Sequence, residues 1–232
     1  MKKITKCFFT LVLITGFVLT SCSSDSDENT NGETKTEDYW PTAVNNNWVL
    51  SQNGEEQNIK IISSANNNGT TYYKFGTFFG ATDAISGSAT VWIKKVNGEY
   101  FLKIDDINYE TEGVKSKITG YEYVFFKDNI EVNKTWSGSY TQKATFVYPG
   151  VSIPEIKTVS SYTGTILEKG ATATIKGVTY KDVIKFKLHQ ESKIEGEKST
   201  SVDSEYWLAK NVGVIRAKSG NVISELVSYN LK

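Results

Sequence analysis

Thr90-Val91-Trp92-Ile93-Lys94-Lys95-Val96-Asn97-Gly98-Glu99-Tyr100-Phe101-Leu102-Lys103-Ile104 is the stretch that decides the fold. Apolar and polar residues alternate on both sides of Asn97-Gly98, the period of a half-buried β-strand. Asn and Gly both tolerate the positive φ angles of a type I′ turn, so the pair joins two β-prone runs into a tight hairpin. The same alternation recurs outward along the chain. It predicts strands at Asn47–Gln52, Asn58–Ser63, Thr71–Phe78, Tyr121–Lys127, Ser139–Tyr148, Lys157–Leu167, Val178–Gln190, Ser199–Leu208, Val212–Ala217 and Val222–Tyr229. Asn66-Asn67-Asn68-Gly69, Glu195-Gly196 and Ser219-Gly220-Asn221 mark turns between them. No convincing helical periodicity interrupts the pattern; a short helical turn is expected at most near Pro41–Asn45. The fold class is therefore all-β, with curved antiparallel sheet or sheets forming a half-barrel or a sandwich.

The order of landmarks suggests an internal duplication, with repeats at 38–119 and 120–232. Trp48, then Gly69 to Phe75, then Trp92 with Lys94 is followed by Trp136, then Gly177 to Val183, then Trp207 with Lys210. The spacings differ, and the extra length of the second half is expected around the loop between Pro149 and Pro154.

The N-terminus carries an address. Lys2, Lys3 and Lys6 precede a largely apolar run from Phe8 to Leu19, the layout of a secretory signal peptide. Thr10, Thr15, Gly16 and Thr20 interrupt it, so it falls short of the roughly 20 apolar residues a spanning helix needs. Leu19-Thr20-Ser21-Cys22 resembles the lipobox of bacterial lipoproteins. The resemblance implies a signal peptide at 1–21, cleavage before Cys22, acylation of the Cys22 sulfur, and attachment to the membrane through that lipid. Residues 22–37 read as an acidic, Ser- and Asn-rich disordered tether. Its segment Ser23-Ser24-Asp25-Ser26-Asp27-Glu28 is similar to the export signal of Bacteroidota surface lipoproteins, which implies an outer-membrane protein facing the cell exterior. Residues 38–232 form a single β-rich domain of ordinary size.

Composition excludes several chemistries. Of two cysteines, Cys7 leaves with the signal and Cys22 is acylated, so no disulfide is available. Basic and acidic residues balance at 26 each, and Arg216 is the only arginine. There is no basic stripe of the kind nucleic-acid binding requires. The single histidine, His189, shares a strand face with Lys185 and Lys187 and reads as solvated. No nucleophile elbow, zinc-ligand spacing or phosphate loop is present. Asp105, Asp106, Glu110 and Glu112 are acidic but read as a surface turn rather than a glycosidase pair. No cofactor and no enzymatic activity are expected.

Gly177-Val178-Thr179-Tyr180-Lys181-Asp182-Val183 and Tyr206-Trp207-Leu208-Ala209-Lys210-Asn211-Val212-Gly213 resemble a pattern of uncharacterised bacterial exported proteins. So does Trp40-Pro41 followed by Asn47-Trp48-Val49. The resemblance implies a curved antiparallel sheet like the half-barrels that carry lipids or lipoproteins in the envelope, and no particular activity. By alternation Tyr206 and Leu208 share one face, and Trp207 and Ala209 the other. Gly213 suits a bend with positive φ. Aromatic residues make up 12% of the chain, and Trp92, Tyr100, Tyr206 and Trp207 are the candidate ligand contacts. The expected function is a non-catalytic binding module for a glycan, lipid or peptide, with a structural or accessory envelope protein that binds a protein partner as the alternative.

Overall fold

The computed structural model describes residues 38–78, 89–111 and 113–232, with Thr111 described through its backbone alone. The signal segment 1–21, Cys22, the tether 22–37 and Glu112 lie outside the described residues. The described residues form fifteen strands: β1 Asn47–Gln52, β2 Glu55–Asn67, β3 Thr70–Phe75, β4 Val91–Val96, β5 Glu99–Ile104, β6 Ile107–Thr111, β7 Val114–Ile118, β8 Tyr121–Lys127, β9 Thr135–Tyr148, β10 Val151–Ser152, β11 Ile156–Ile175, β12 Val178–Ile194, β13 Thr200–Ala209, β14 Gly213–Ser219 and β15 Val222–Asn230. No helix occurs among the described residues. The segment 41–45 holds a β-turn instead of the expected helical turn, closed by the Asn46 amide on the Ala43 carbonyl at 3.0 Å. Asn45 takes a positive φ of 76° there, which a helix would not accept.

All strands join one antiparallel ladder in the order β6-β7-β9-β11-β12-β13-β14-β15-β1-β2-β3-β4-β5-β8, with β10 beside β9. The founding hairpin β4–β5 pairs Val96 with Glu99 across Asn97-Gly98, whose φ angles of 49° and 78° are those of a type I′ turn. Two places let the ladder curl. β2 pairs with β1 through Lys60 and with β3 from Ile61 onward, so it bends between two sheet segments. Chain continuity supplies the second: β7 pairs with β9, and two residues later β8 pairs with β5.

The curl brings β8 onto the middle of the ladder. A bulge in β8 opposite Tyr100 and Phe101 inserts one extra residue, and so turns both Phe125 and Phe126 inward. Phe126 stacks on Phe186 of β12 at 4.9 Å, and Phe125 meets Tyr206 of β13 edge-on at 4.8 Å. Trp40, Trp48 and Phe75 extend this core under β1 and β3. Aromatic pairs of this geometry contribute about 0.5–1.5 kcal/mol each beyond area burial.

The two halves share strand order and tryptophan placement. β1-β2-β3-β4-β5 and β9-β11-β12-β13-β14 each carry a buried tryptophan on the first strand (Trp48, Trp136) and a half-buried one on the fourth (Trp92, Trp207). The extra length of the second half lies mainly in the strands: β11 and β12 have 20 and 17 residues, against 13 and 6 in β2 and β3. The proline loop adds little of it.

Candidate ligand cleft

The inner face of the sheet changes character along every strand toward one end. On β12 the inward positions run Phe186, Leu188, Gln190, Ser192; on β13 they run Leu208, Tyr206, Ser204, Val202. On β11 the sequence is Ile166, Gly164, Tyr162, Ser160, and on β9 it is Trp136, Gly138, Tyr140. Ladder register aligns these series, so the apolar core gives way to one surface of hydroxyls, amides and tyrosine rings.

Cross-strand pairs order that surface. Ser160 Oγ lies 2.8 Å from Ser192 Oγ, Ser204 Oγ donates to Ser219 Oγ at 3.1 Å, and Ser224 Oγ donates to Gln52 Oε1 at 3.1 Å. Ser160, Ser204 and Ser224 are buried. Beside them an open cleft of about 380 Å³ is lined by Gln52, Gln190, Val202, Ser204, Tyr206, Ala217, Lys218, Ser219, Val222 and Ser224. Its size is within the range of small-molecule sites. Lys218 falls between the inward Ala217 and Ser219, so alternation turns its side chain to the opposite face.

β8 packs its tyrosines against β9 and β11. Tyr121 stacks on Tyr140 at 4.0 Å and 7°, and Tyr123 packs on Tyr140 at 5.9 Å and edge-on to Tyr162 at 5.4 Å. No backbone ladder joins β8 to β9. Side chains bridge the gap. Trp136 Nε1 donates to the Val124 carbonyl at 3.0 Å, and the Val124 amide donates to the Tyr162 hydroxyl at 3.1 Å. The two rings lie flat across Gly164 and Gly138, where any Cβ would collide with them.

Of the residues lining the cleft only Lys218 is charged. Burial pushes the Tyr121, Tyr123 and Tyr206 hydroxyls above the ordinary tyrosine range, so none ionises near neutral pH.

Of the four residues that the sequence singles out, only Tyr206 lies in this cleft. Tyr100 is a core residue with no exposed surface; its hydroxyl accepts the Tyr39 amide at 2.8 Å and donates to Asp128 at 3.1 Å, so it cannot touch a ligand. Trp92 lies on the outer face, donates to Asp105 at 2.7 Å, and has Lys74 and Lys103 beside its ring at 5.8 and 5.9 Å. Trp207 is on the outer face of β13, donates to Glu205 at 2.6 Å, and has Lys185 and Arg216 over its ring at 4.5 and 4.9 Å. Cations already occupy both indoles, which makes them poor open platforms. Gly213 takes the expected positive φ, at 110°, where Trp48 approaches it.

The acidic residues are also engaged. Asp105 and Asp106 precede β6, and Glu110 lies within it; together with β7 this segment forms a hairpin rather than the expected surface turn. Asp105, Asp106 and Glu122 line an open pocket of about 550 Å³, but each has a lysine: Lys103, Lys117 and Lys94 respectively. The Gly120 amide and then Lys117 hold Asp106 below the ordinary carboxyl range, the reverse of what a general acid needs. Burial alone would lower the Lys94 pKa, but its bonds to Glu122 and Tyr72 leave it raised, a fixed cation. His189 is exposed and bonds Asp203 at 2.7 Å, on the face of Lys187.

Sequence reasoning did not single out Tyr121, Tyr123, Tyr140 or Tyr162. The available signal was the repeated Ser/Tyr at inward positions near one end of each strand, which only register assembles.

No family model matches the chain, and no curated protein matches it. Among solved structures, one described as a "putative lipoprotein" from Parabacteroides distasonis aligns over 84% of this chain and 99% of its own length, at 13% identity and a TM-score of 0.49.

Proposed function

We propose that this protein is a non-catalytic binding module, held on the outer membrane through acylated Cys22 and facing the cell exterior, and that the tyrosine- and serine-lined cleft is its ligand site. The observation that carries the reading is the convergence of Tyr206, Ser204, Ser219, Ser224 and Gln190 on the lining of one open cleft. A core needs no such row of hydroxyls; burying them against nothing costs about 1–3 kcal/mol for each one left unpaired. The pairing of the nearby carboxylates with lysines favours binding over catalysis. Low arginine content and balanced charge speak against a nucleic-acid partner.

Native mass spectrometry of the full chain after gentle extraction tests this reading. A co-purifying small molecule that is lost from a Val202→Glu variant is the expected result. A clean mass in both forms favours the second reading, a protein-partner role. That reading has its own observation: Val147 and Tyr148 at the end of β9, Val151 of β10 and Ile156 at the start of β11 stand exposed.

A further inference from the structure

We infer that the cleft takes a neutral saccharide; this rests on the cleft being the binding site. Three features of its wall select that chemistry. The first is charge. Of the residues lining the cleft only Lys218 is charged, and strand alternation sets it on the face opposite Ala217 and Ser219; the Tyr206 hydroxyl stays protonated. An ionised ligand group would lose water there and gain no counter-ion.

The second is the hydroxyl pairs. Ser204–Ser219 on the cleft lining, and Ser160–Ser192 on the neighbouring strands β11 and β12, each spend one O–H on the partner, which leaves one O–H and several lone pairs for a ligand. A sugar hydroxyl is likewise donor and acceptor, so either can supply the proton. An acyl chain laid on the same rungs would leave these groups unpaired, at the cost a polar-lined site imposes on any apolar analogue.

The third is the closed backbone. Every strand of the floor from β11 through β15 to β1 is paired on both edges. At the cleft an extended peptide finds only short edge stretches, such as Thr200–Val202 of β13, which pairs with β12 but not with β14, and so little of its usual source of affinity. What remains is ring faces beside hydroxyls. Tyr206 stacks one face on Phe186 and lines the cleft, apolar contact next to Ser204.

Calorimetry on the full chain, with maltohexaose, cellohexaose, xylohexaose and mannohexaose as neutral probes, tests the inference. Oligogalacturonate, palmitate and penta-alanine serve as the charged, lipid and peptide probes. Binding of at least one neutral probe is expected, weakened about tenfold in Ser204→Ala/Ser219→Ala, which removes both partners of one half-buried pair at little cost to folding. Val202→Glu, at the exposed mouth, should abolish it. If only oligogalacturonate, palmitate or penta-alanine binds and Val202→Glu abolishes that binding, the cleft reading stands and the saccharide inference falls. If no probe binds in a way that Val202→Glu alters, both fall.

Discussion

The Tyr162 hydroxyl accepts the Val124 amide at 3.1 Å across a gap that no strand ladder spans. With Trp136 on the Val124 carbonyl, it satisfies both backbone groups of a residue on the free edge of β8. An unpaired edge invites association with other chains, and here side chains stand where a neighbouring strand would be. Tyr162→Phe should therefore cost about 1–3 kcal/mol, because it strands the Val124 N–H. Gly164→Ala should cost a similar amount by driving the Trp136 ring off its seat. Ser139→Ala, on the outer face of β9, should stay within about 0.5 kcal/mol. Urea unfolding gives the three values, and a neutral Gly164→Ala would show that Trp136 does not close the gap.

The tryptophans separate by burial. Trp40, Trp48 and Trp136 are 2%, 2% and 6% exposed, while Trp92 and Trp207 are half-buried on the outer faces. Acrylamide should quench a fraction of the fluorescence and leave the rest protected. Trp92→Phe/Trp207→Phe should remove the quenchable fraction with little shift of the protected emission. Uniform quenching of all five would contradict the core as described.

Much of this architecture is legible in the alternation of single strands. The hairpin at Asn97-Gly98 and strand Tyr121–Lys127 stand where the pattern puts them. β6 and β7 escape it because Asp105-Asp106 and Glu112-Gly113 look like loop chemistry, although Tyr109 and Ser116 pair across a regular ladder. β11 runs past Leu167 because bulges absorb Glu168-Lys169-Gly170 instead of ending the strand. The cleft is less legible for a different reason. Tyr121 and Tyr140 meet only after the sheet has curled, and a strand pattern says which face a residue takes, not which distant face it meets. Tyr100 illustrates the cost of ignoring even the local rule: it alternates with buried Leu102, and the face they share is the core.

Tyrosine ionisation should be heterogeneous. Burial raises the hydroxyl pKa of Tyr100, Tyr121, Tyr123, Tyr180 and Tyr206 above the ordinary value of 10.0. The folded protein holds these protons more tightly than the unfolded chain, so stability is lost as pH rises above 10.0. A tyrosinate absorbance titration should show a late group that ionises together with unfolding. A single transition for all 13 tyrosines would overturn it.

Asp128 sets a second pH dependence, of the same sign at the acid end. Burial raises its pKa above 3.8, against the opposing pull of Lys95 and the Tyr100 hydroxyl. A carboxyl that is more basic in the folded state favours folding most when protonated. Its contribution therefore declines as pH rises from 3.8 through its folded pKa. Asp128→Asn keeps an acceptor for Tyr100 and removes the titration. The stability of wild type minus that of Asp128→Asn should fall as pH increases over this window, measured by urea unfolding at a series of pH values. A rising difference would mean that Lys95 and Tyr100 outweigh burial.

If Cys22 carries the anchor and the acidic run the orientation, the two separate experimentally. A single acyl chain binds a membrane only reversibly, and two or more hold it firmly. Cys22→Ser should abolish incorporation of labelled palmitate and release the protein into the soluble fraction. Replacing Asp25, Asp27 and Glu28 by alanine leaves the lipid site intact, so the protein should remain in the membrane fraction. If the acidic run directs export, this variant should resist protease added to intact cells, whereas the wild type is cleaved. Equal cleavage of both would remove the acidic run from the account and leave the lipid anchor standing, while palmitate on Cys22→Ser would remove the anchor itself.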